Sequence, residues 1–205
     1  MKKQIACAFW VLLLMALSAC EAASATTKST PPVKGSAAQI VAYYNDHANA
    51  LKAAERITVE KREVREGSIQ TPPSMDETVI ETFVEGKGVH DASLTLNDFL
   101  PVHGKPHVSD LIASAVQSAA CVEQGDGWLI EIATEDESFC YLEEQGIIID
   151  FFLSNGFITA TINTEGKVTA MTHHYDCKEI TNAPDTSTTR EQSVFYEYQF
   201  TYGTD

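Results

Sequence analysis

Apolar residues near the amino end of the chain recur at helical spacing. Ser36 and Gln39 match a capping box, in which the two residues satisfy each other's backbone groups at the start of a helix. The pattern therefore predicts a helix over residues 37–55. Its apolar stripe consists of Ile40, Val41, Tyr44, Ala48 and Leu51.

A second apolar run with the same spacing predicts a helix over residues 109–119. This stripe consists of Val108, Leu111, Ile112, Ala115, Val116 and Ala119. Between the helices, residues 57–64 and 78–85 have strand composition and form a candidate hairpin, although the alternation of the first strand slips before Val64. Pro72 and Pro73 close that strand, because proline cannot donate a hydrogen bond to a neighbouring strand.

From Cys121 onward, alternating apolar and polar residues predict an antiparallel sheet. Turns are expected at 125–127, 154–156 and 163–166, and a polar loop at 181–190. Residues 147–153 are apolar on both faces, as in a strand that a helix covers on one side. The expected fold class is α+β, with two helices packed on a twisted or curved antiparallel β-sheet.

The last strand alternates between an aromatic face and a more polar one. Val194, Tyr196, Tyr198, Phe200 and Tyr202 share the aromatic face. This face either packs against the helices as ordinary core, which is the favoured interpretation, or lines a concave pocket in which tyrosine hydroxyls meet a ligand. In the second case, Tyr196, Tyr198 and Tyr202 are the candidate ligand-facing residues.

The first residues of the chain have the organisation of a secretory signal. Lys2 and Lys3 precede an uncharged apolar segment over residues 5–17, which is short for a membrane span. The tetrapeptide Leu17-Ser18-Ala19-Cys20 ends this segment, and it resembles the lipobox of bacterial lipoproteins. The resemblance implies that Cys20 is acylated and becomes the first residue of a mature protein, held by its lipid at the extracytoplasmic face of the cell membrane.

These patterns divide the chain into three segments. Residues 1–19 form the signal peptide, and residues 20–35 form a lipidated flexible tether of small and polar residues. Residues 36–205 form a single α+β domain, long enough to bury a substantial core.

The charge balance narrows the range of partners. The chain has a net charge of -15 at pH 7, and loss of Lys2 and Lys3 with the signal lowers it by two, to -17. This acidity argues against nucleic acid and against adhesion to anionic lipid, since both require a basic surface. We interpret the acidity as a source of solubility and mutual repulsion.

Three of the five cysteines remain once Cys7 leaves with the signal and Cys20 is acylated. Cys121, Cys140 and Cys177 would then lie in a compartment that permits disulfides, so that one pair can form and one thiol is left. Pairing of Cys121 with Cys140 and pairing of Cys121 with Cys177 both stay open.

Catalytic motifs are absent from the sequence. It contains no nucleophile elbow, zinc-protease motif, phosphate-binding loop or dinucleotide fingerprint. His174 and Asp176, which would share one face of a strand, are the best candidates for a base with an orienting carboxylate, but a solvent-facing polar pair is favoured. A metal site among the histidines of the predicted loop 89–107 is disfavoured on similar grounds. We expect no enzymatic activity, no metal and no cofactor.

The leading hypothesis is a noncatalytic, lipid-anchored domain that binds a small apolar or peptide ligand at the cell surface. The alternative is an envelope interaction module that has a solid core and recruits other proteins. The two hypotheses differ in one respect, because only the first requires a cavity behind the aromatic strand.

Overall fold

The computed structural model describes residues 30–67, 74–100, 111–142, 147–183 and 185–203. Within these residues, a long helix, α1 (Ala37–Lys52), precedes nine strands, and the short helix α2 (Leu96–Phe99) lies between β3 and β4. The strands are β1 (Arg56–Gly67), β2 (Met75–Val84), β3 (Lys87–Gly88), β4 (Val116–Gln124), β5 (Gly127–Thr134), β6 (Glu137–Leu142), β7 (Ile148–Asn163), β8 (Val168–Ala183) and β9 (Thr186–Tyr202). None of the helices in these ranges is both long and apolar enough to cross a membrane.

The strands of the described residues form one antiparallel sheet. Its order is β3-β2-β1-β9-β8-β7-β5-β4, so that the last strand of the chain pairs with the first. β5 pairs with residues 157–163 of β7, and β6 pairs with residues 148–153 of the same strand. The long strands β7, β8 and β9 therefore extend along the sheet well beyond β5.

Helix α1 forms where the sequence predicts it, because its capping residues and its apolar stripe agree. The Gln39 side chain accepts a hydrogen bond from the Ser36 N–H over 2.9 Å, and Ser36 Oγ accepts one from the Gln39 N–H. The helix contacts β4, β5 and β8. We call the face of the sheet that packs against α1 the inner face and the opposite one the outer face.

The hydrophobic core lies between α1 and the inner face. Every fully buried apolar side chain contributes about 1.5–3 kcal/mol relative to an exposed one, so this layer is the main source of stability. The largest apolar side chains of the core with less than 2% exposure are Tyr44, Tyr198, Phe83, Ile40, Leu51, Ile57, Leu96, Ile130, Ile132, Ile162 and Met171.

The predicted fold class is wrong in its helices, since the described residues are mostly antiparallel sheet, and α1 is the one long helix among them. Within the predicted second helix, residues 113–115 form a 3-10 turn and Val116 begins β4. Cys121 of β4 lies opposite Ile130 of β5, and the two strands pair from Val116 to Gln124. The strand ladder satisfies the backbone along its length, so pairing with β5 overrides the local helical spacing.

Two predicted interruptions of the sheet are also wrong. Residues 154–156 form a β-bulge inside β7 rather than a turn, because the register to β8 shifts between Ser154 and Phe157. Asn155 has a φ of 54°, which a bulge accommodates. The polar loop expected at 181–190 is largely strand, since β8 ends at Ala183 and β9 begins at Thr186. The β1–β2 hairpin and the turns at 125–127 and 163–166 are confirmed.

Candidate functional site

The inner side of β1 changes from apolar to charged along its length. Ile57 and Val59 are fully buried in the core. The next residues on the same face are Lys61, Glu63 and Arg65, whose side chains are 21%, 14% and 44% exposed. The apolar alternation slips before Val64, but the register of β1 to β9 stays regular, so the charged residues keep to the same face as Ile57 and Val59. Three successive charged side chains therefore continue the face that forms the core.

Tyrosines from β8 and β9 lie beside these charges. Lys61 is in register with Tyr198, and Glu63 with Tyr196. The phenols of Tyr175 and Tyr196 are hydrogen-bonded, and the centroids of their rings are 6.5 Å apart. We call this group the tyrosine–charge cluster, and it consists of Lys61, Glu63, Arg65, Tyr175, Tyr196 and Tyr198.

The carboxylate of Glu63 is the electrostatic centre of the cluster. Its Oε1 accepts hydrogen bonds from Arg65 Nε over 2.5 Å and from the Tyr196 hydroxyl over 3.4 Å. Its Oε2 lies 3.4 Å from Lys61 Nζ. The Lys61 ammonium also lies 5.0 Å from the ring centroid of Tyr196 and 5.6 Å from that of Phe99. These ring contacts are favourable for a cation that is partly removed from water.

Tyr198 is the one member of the cluster whose polar atom is unsatisfied. The side chain is 0% exposed, and its hydroxyl has no hydrogen-bond partner among the residues that the structure describes. Leaving a buried hydroxyl without a partner costs about 1–3 kcal/mol. Buried polar groups without a partner are few in folded proteins, and each calls for an explanation.

Burial favours the protonated form of the phenols in the cluster. Desolvation is the largest cause that raises the pKa of Tyr175, Tyr196 and Tyr198 above the ordinary tyrosine value. All three hydroxyls therefore carry their protons at neutral pH and can act as hydrogen-bond donors.

Two of the three candidate ligand-facing tyrosines belong to the cluster. Tyr196 and Tyr198 are adjacent on the inner face, with ring centroids 6.2 Å apart. Tyr202 lies apart from them, because its hydroxyl donates to the Val168 carbonyl over 3.0 Å and Lys167 Nζ lies 5.3 Å from its ring centroid. The structure therefore places Tyr202 against the start of β8, with its hydroxyl already satisfied.

A second polar group lies on the outer face. The Ser193 hydroxyl donates to Asp176 Oδ1, and His174 Nε2 lies 3.3 Å from the Ser193 oxygen. Asn155, in the β7 bulge, donates to Asp176 Oδ2 over 2.7 Å. The bonds from Ser193 and Asn155 are the largest causes that lower the pKa of Asp176. Because the Ser193 proton points to a carboxylate rather than to an imidazole, the group lacks the order of a nucleophile and its general base.

Two surface cavities flank the outer-face group. One, of about 410 Å³, is lined by residues that include Asp176, Cys177 and Ser193. The other, of about 500 Å³, is lined by residues that include Asn155 and Phe157. None of the three candidate ligand-facing tyrosines lines either cavity.

The three cysteines form no disulfide with one another in this structure. Cys121 of β4 and Cys177 of β8 are buried, and β5 and β7 lie between their strands. Three strand spacings amount to about 14 Å, whereas a disulfide spans at most about 7 Å between Cα atoms. Cys140 is exposed on β6 and lies opposite Asp150. Cys20 falls outside the described residues, so its acylation stays a prediction.

His90, from the predicted loop, has a carboxylate partner. Glu81 Oε1 accepts hydrogen bonds from the backbone N–H groups of Thr82, Val89 and His90, and from His90 Nδ1 over 3.0 Å. The bond from the His90 N–H is the largest cause that lowers the pKa of Glu81. The described part of the chain contains no group of three side chains suited to a metal, while His103 and His107 fall outside it.

Sequence reasoning missed the charged half of the tyrosine–charge cluster. The available signal was the period of two in β1, which puts Lys61, Glu63 and Arg65 on the side of Ile57 and Val59. Their charges suggest a solvated face, and only the pairing with β9 shows that the face is shared with buried tyrosines.

Comparisons with models of protein families, with curated proteins and with solved structures found no match to this chain. Functional conclusions therefore rest on the side chains described above and on the resemblance of the first residues to a lipobox.

Proposed function

We propose that this protein is a noncatalytic, lipid-anchored binding domain on the extracytoplasmic side of a bacterial cell membrane, and that its small ligand binds at the tyrosine–charge cluster. The anchor is the acyl group on Cys20, which the sequence Leu17-Ser18-Ala19-Cys20 supports by its resemblance to a lipobox. Multiple acyl chains on one residue hold a protein durably at a membrane.

The observation that carries the binding function is the unpaired hydroxyl of Tyr198 beside three inward-facing charges. A domain that only needed a solid core would be more stable with apolar side chains here, because burying charged and unpaired polar groups is costly. Tyr198 is fully buried and lines neither of the two cavities described above, so a ligand reaches its hydroxyl only when the side chains around Lys61 move apart. A ligand that then accepts a hydrogen bond from Tyr198 and contacts Lys61 would offset that cost.

Native mass spectrometry of the mature chain, purified in mild detergent, tests the binding function. We expect an extra mass on the folded protein that disappears on denaturation. A protein without bound mass that also takes up no apolar probe would contradict the proposal. The cluster would then be part of the core, and its polar groups would lower the stability of the fold.

Metabolic labelling with an alkyne-bearing palmitate analogue tests the anchor. The label should enter the wild-type chain and a Cys7→Ser variant, and it should be absent from a Cys20→Ser variant. Equal labelling of the Cys20→Ser variant would refute acylation at this residue without affecting the binding proposal.

Exposed apolar side chains support the interaction module as a second candidate function. Ile80 and Val84, on the same face of β2, are 60% and 38% exposed. Exposed apolar residues that lie close together are common at protein–protein contacts. Crosslinking in intact cells distinguishes this candidate, because it predicts a protein adduct that is lost when Ile80 is changed to Asp.

A further inference from the structure

We propose that the ligand of the tyrosine–charge cluster is an amphipathic anion, which presents a carboxylate or phosphate group to Lys61, Arg65 and Tyr198 and extends an apolar body over the adjacent apolar side chains. This inference rests on the proposed binding function and adds the chemical class of the ligand.

Lys61, Arg65 and Tyr198 carry many hydrogen-bond donors. An ammonium has three donors and a guanidinium five, and a protonated phenol has one. Arg65 directs both Nε and Nη2 at a single oxygen of Glu63, each over 2.5 Å. Lys61 has one oxygen contact with Glu63 at 3.4 Å, and the Tyr198 hydroxyl has none within the described ranges. Arg65 also forms a hydrogen bond with the Tyr196 side chain, yet the donors of these three residues exceed the acceptor positions on Glu63 and Tyr196 together.

Glu63 supplies the carboxylate acceptors of the cluster. Both oxygens of Glu63 already contact Arg65, Lys61 or Tyr196. Lys61 and Arg65 share the single negative charge of Glu63, so an oxyanion brings both further acceptor sites and the charge that balances the second cation. This balance of charge favours a carboxylate or a phosphate.

The chain as a whole is strongly acidic, so glutamates on the strands around the cluster could oppose the binding of an anion. Glu77 lies opposite Glu63 across β1 and β2 but is exposed, so water screens its charge. Glu179, on β8, accepts a hydrogen bond from Thr181 over 3.2 Å and lies 3.9 Å from Arg190. Neither residue forms an ion pair with Lys61 or Arg65 among the contacts above.

The apolar body of the proposed ligand requires apolar surface beside the donors. Val79 lies opposite Lys61 in the β1–β2 register and is 48% exposed. The rings of Phe99 and Tyr196 are buried beneath the Lys61 ammonium and so form the floor of this region. The exposed apolar surface that adjoins the donors is that of Val79, which suits a ligand with both an anionic and an apolar end.

Calorimetric titration of the mature chain with decanoate, decanol and inorganic phosphate, all in the same detergent, tests the inference. We expect decanoate to bind at least tenfold more tightly than decanol or phosphate. Lys61→Met should weaken decanoate binding about tenfold, and an unchanged circular dichroism spectrum should show that the variant is folded. Arg65→Gln, at the open rim, should weaken decanoate binding as well. Lys178→Met removes a cation from the outer face and should change nothing.

The other outcomes separate this inference from the function on which it rests. Equal binding of decanoate and decanol overturns the anionic assignment and leaves ligand binding intact. Equal binding of phosphate and decanoate overturns the apolar body. Failure of all three probes overturns the ligand class if native mass spectrometry shows a bound mass, and overturns both proposals if it shows none.

Discussion

The unusual residues of this protein are polar groups placed where the fold offers little water. Tyr198 is fully buried with an unpaired hydroxyl, and Lys61 and Glu63 are mostly covered. Glu81 has the opposite arrangement, because its carboxylate is buried and accepts four hydrogen bonds. The contrast separates a buried polar group whose hydrogen bonds are made from one that makes none among the described residues.

Glu81 should stabilise the fold in a pH-dependent way. Hydrogen bonds, chiefly from the His90 N–H, lower the pKa of Glu81 in the folded state. Its stabilising contribution is therefore complete above the pKa of the unfolded chain and is lost as the pH falls through the folded-state pKa. We expect Glu81→Gln to lower the free energy of unfolding near pH 7, by an amount that shrinks as the solution becomes more acidic.

Urea unfolding of both chains across a pH series measures this difference. Glu60→Gln changes an exposed glutamate on β1 and is the matched control, which should show no comparable pH dependence. A loss of stability for Glu81→Gln that stayed constant at every pH would show that the carboxylate charge contributes nothing.

At the scale of secondary structure, elements that depend on neighbouring residues could be predicted from the sequence, whereas elements that depend on pairing with distant strands could not. The capping box of Ser36 and the stripe that ends at Leu51 lie within one helix, so sequence spacing sufficed to predict α1. The strand β4 depends on its pairing with β5, and the bulge at Asn155 depends on β8. Such partners are distant along the chain, and for that reason a helical spacing at residues 109–119 was misleading.

The same limit applies to the candidate site. The alternation of β9 was sufficient to put Tyr196 and Tyr198 on one buried face. Nothing local to β1 indicates that Lys61 and Glu63 face those tyrosines, because that contact follows from the β1–β9 register. The satisfied hydroxyl of Tyr202 was likewise not predictable, since its acceptor belongs to β8.

Helix α1 should contribute strongly to stability through its inner-facing side chains. Leu51 is 1% exposed, and truncation of a buried leucine removes apolar burial and leaves a cavity. We expect Leu51→Ala to lower the free energy of unfolding by about 3 kcal/mol, measured by urea denaturation. Asn49→Ala, at an exposed position of the same helix, should change it by less than about 0.5 kcal/mol. Similar losses for both variants would contradict the packing of α1 on the sheet.

For the molecule as a whole, the described residues combine an antiparallel sheet with a cluster of tyrosines and charges on its inner face. The net charge of -15 repels anionic surfaces. Lys61 and Arg65 nevertheless place two cations close together on the inner side of β1. With an acyl anchor at Cys20, such a domain would hold a small anionic ligand close to the membrane without needing a basic surface. This combination is the basis of the proposed function.

The central claim is that a ligand occupies the tyrosine–charge cluster, and the bound mass in single hydroxyl deletions tests it most directly. Native mass spectrometry should compare the mature wild-type chain with Tyr198→Phe and Tyr202→Phe. A hydrogen bond to a charged group contributes about 1.5–3 kcal/mol, so loss of the Tyr198 hydroxyl should weaken binding about tenfold or more. We expect the bound mass on the wild type and on Tyr202→Phe, and its near absence from Tyr198→Phe. Equal occupancy of all three chains, or an empty wild type, would contradict the claim.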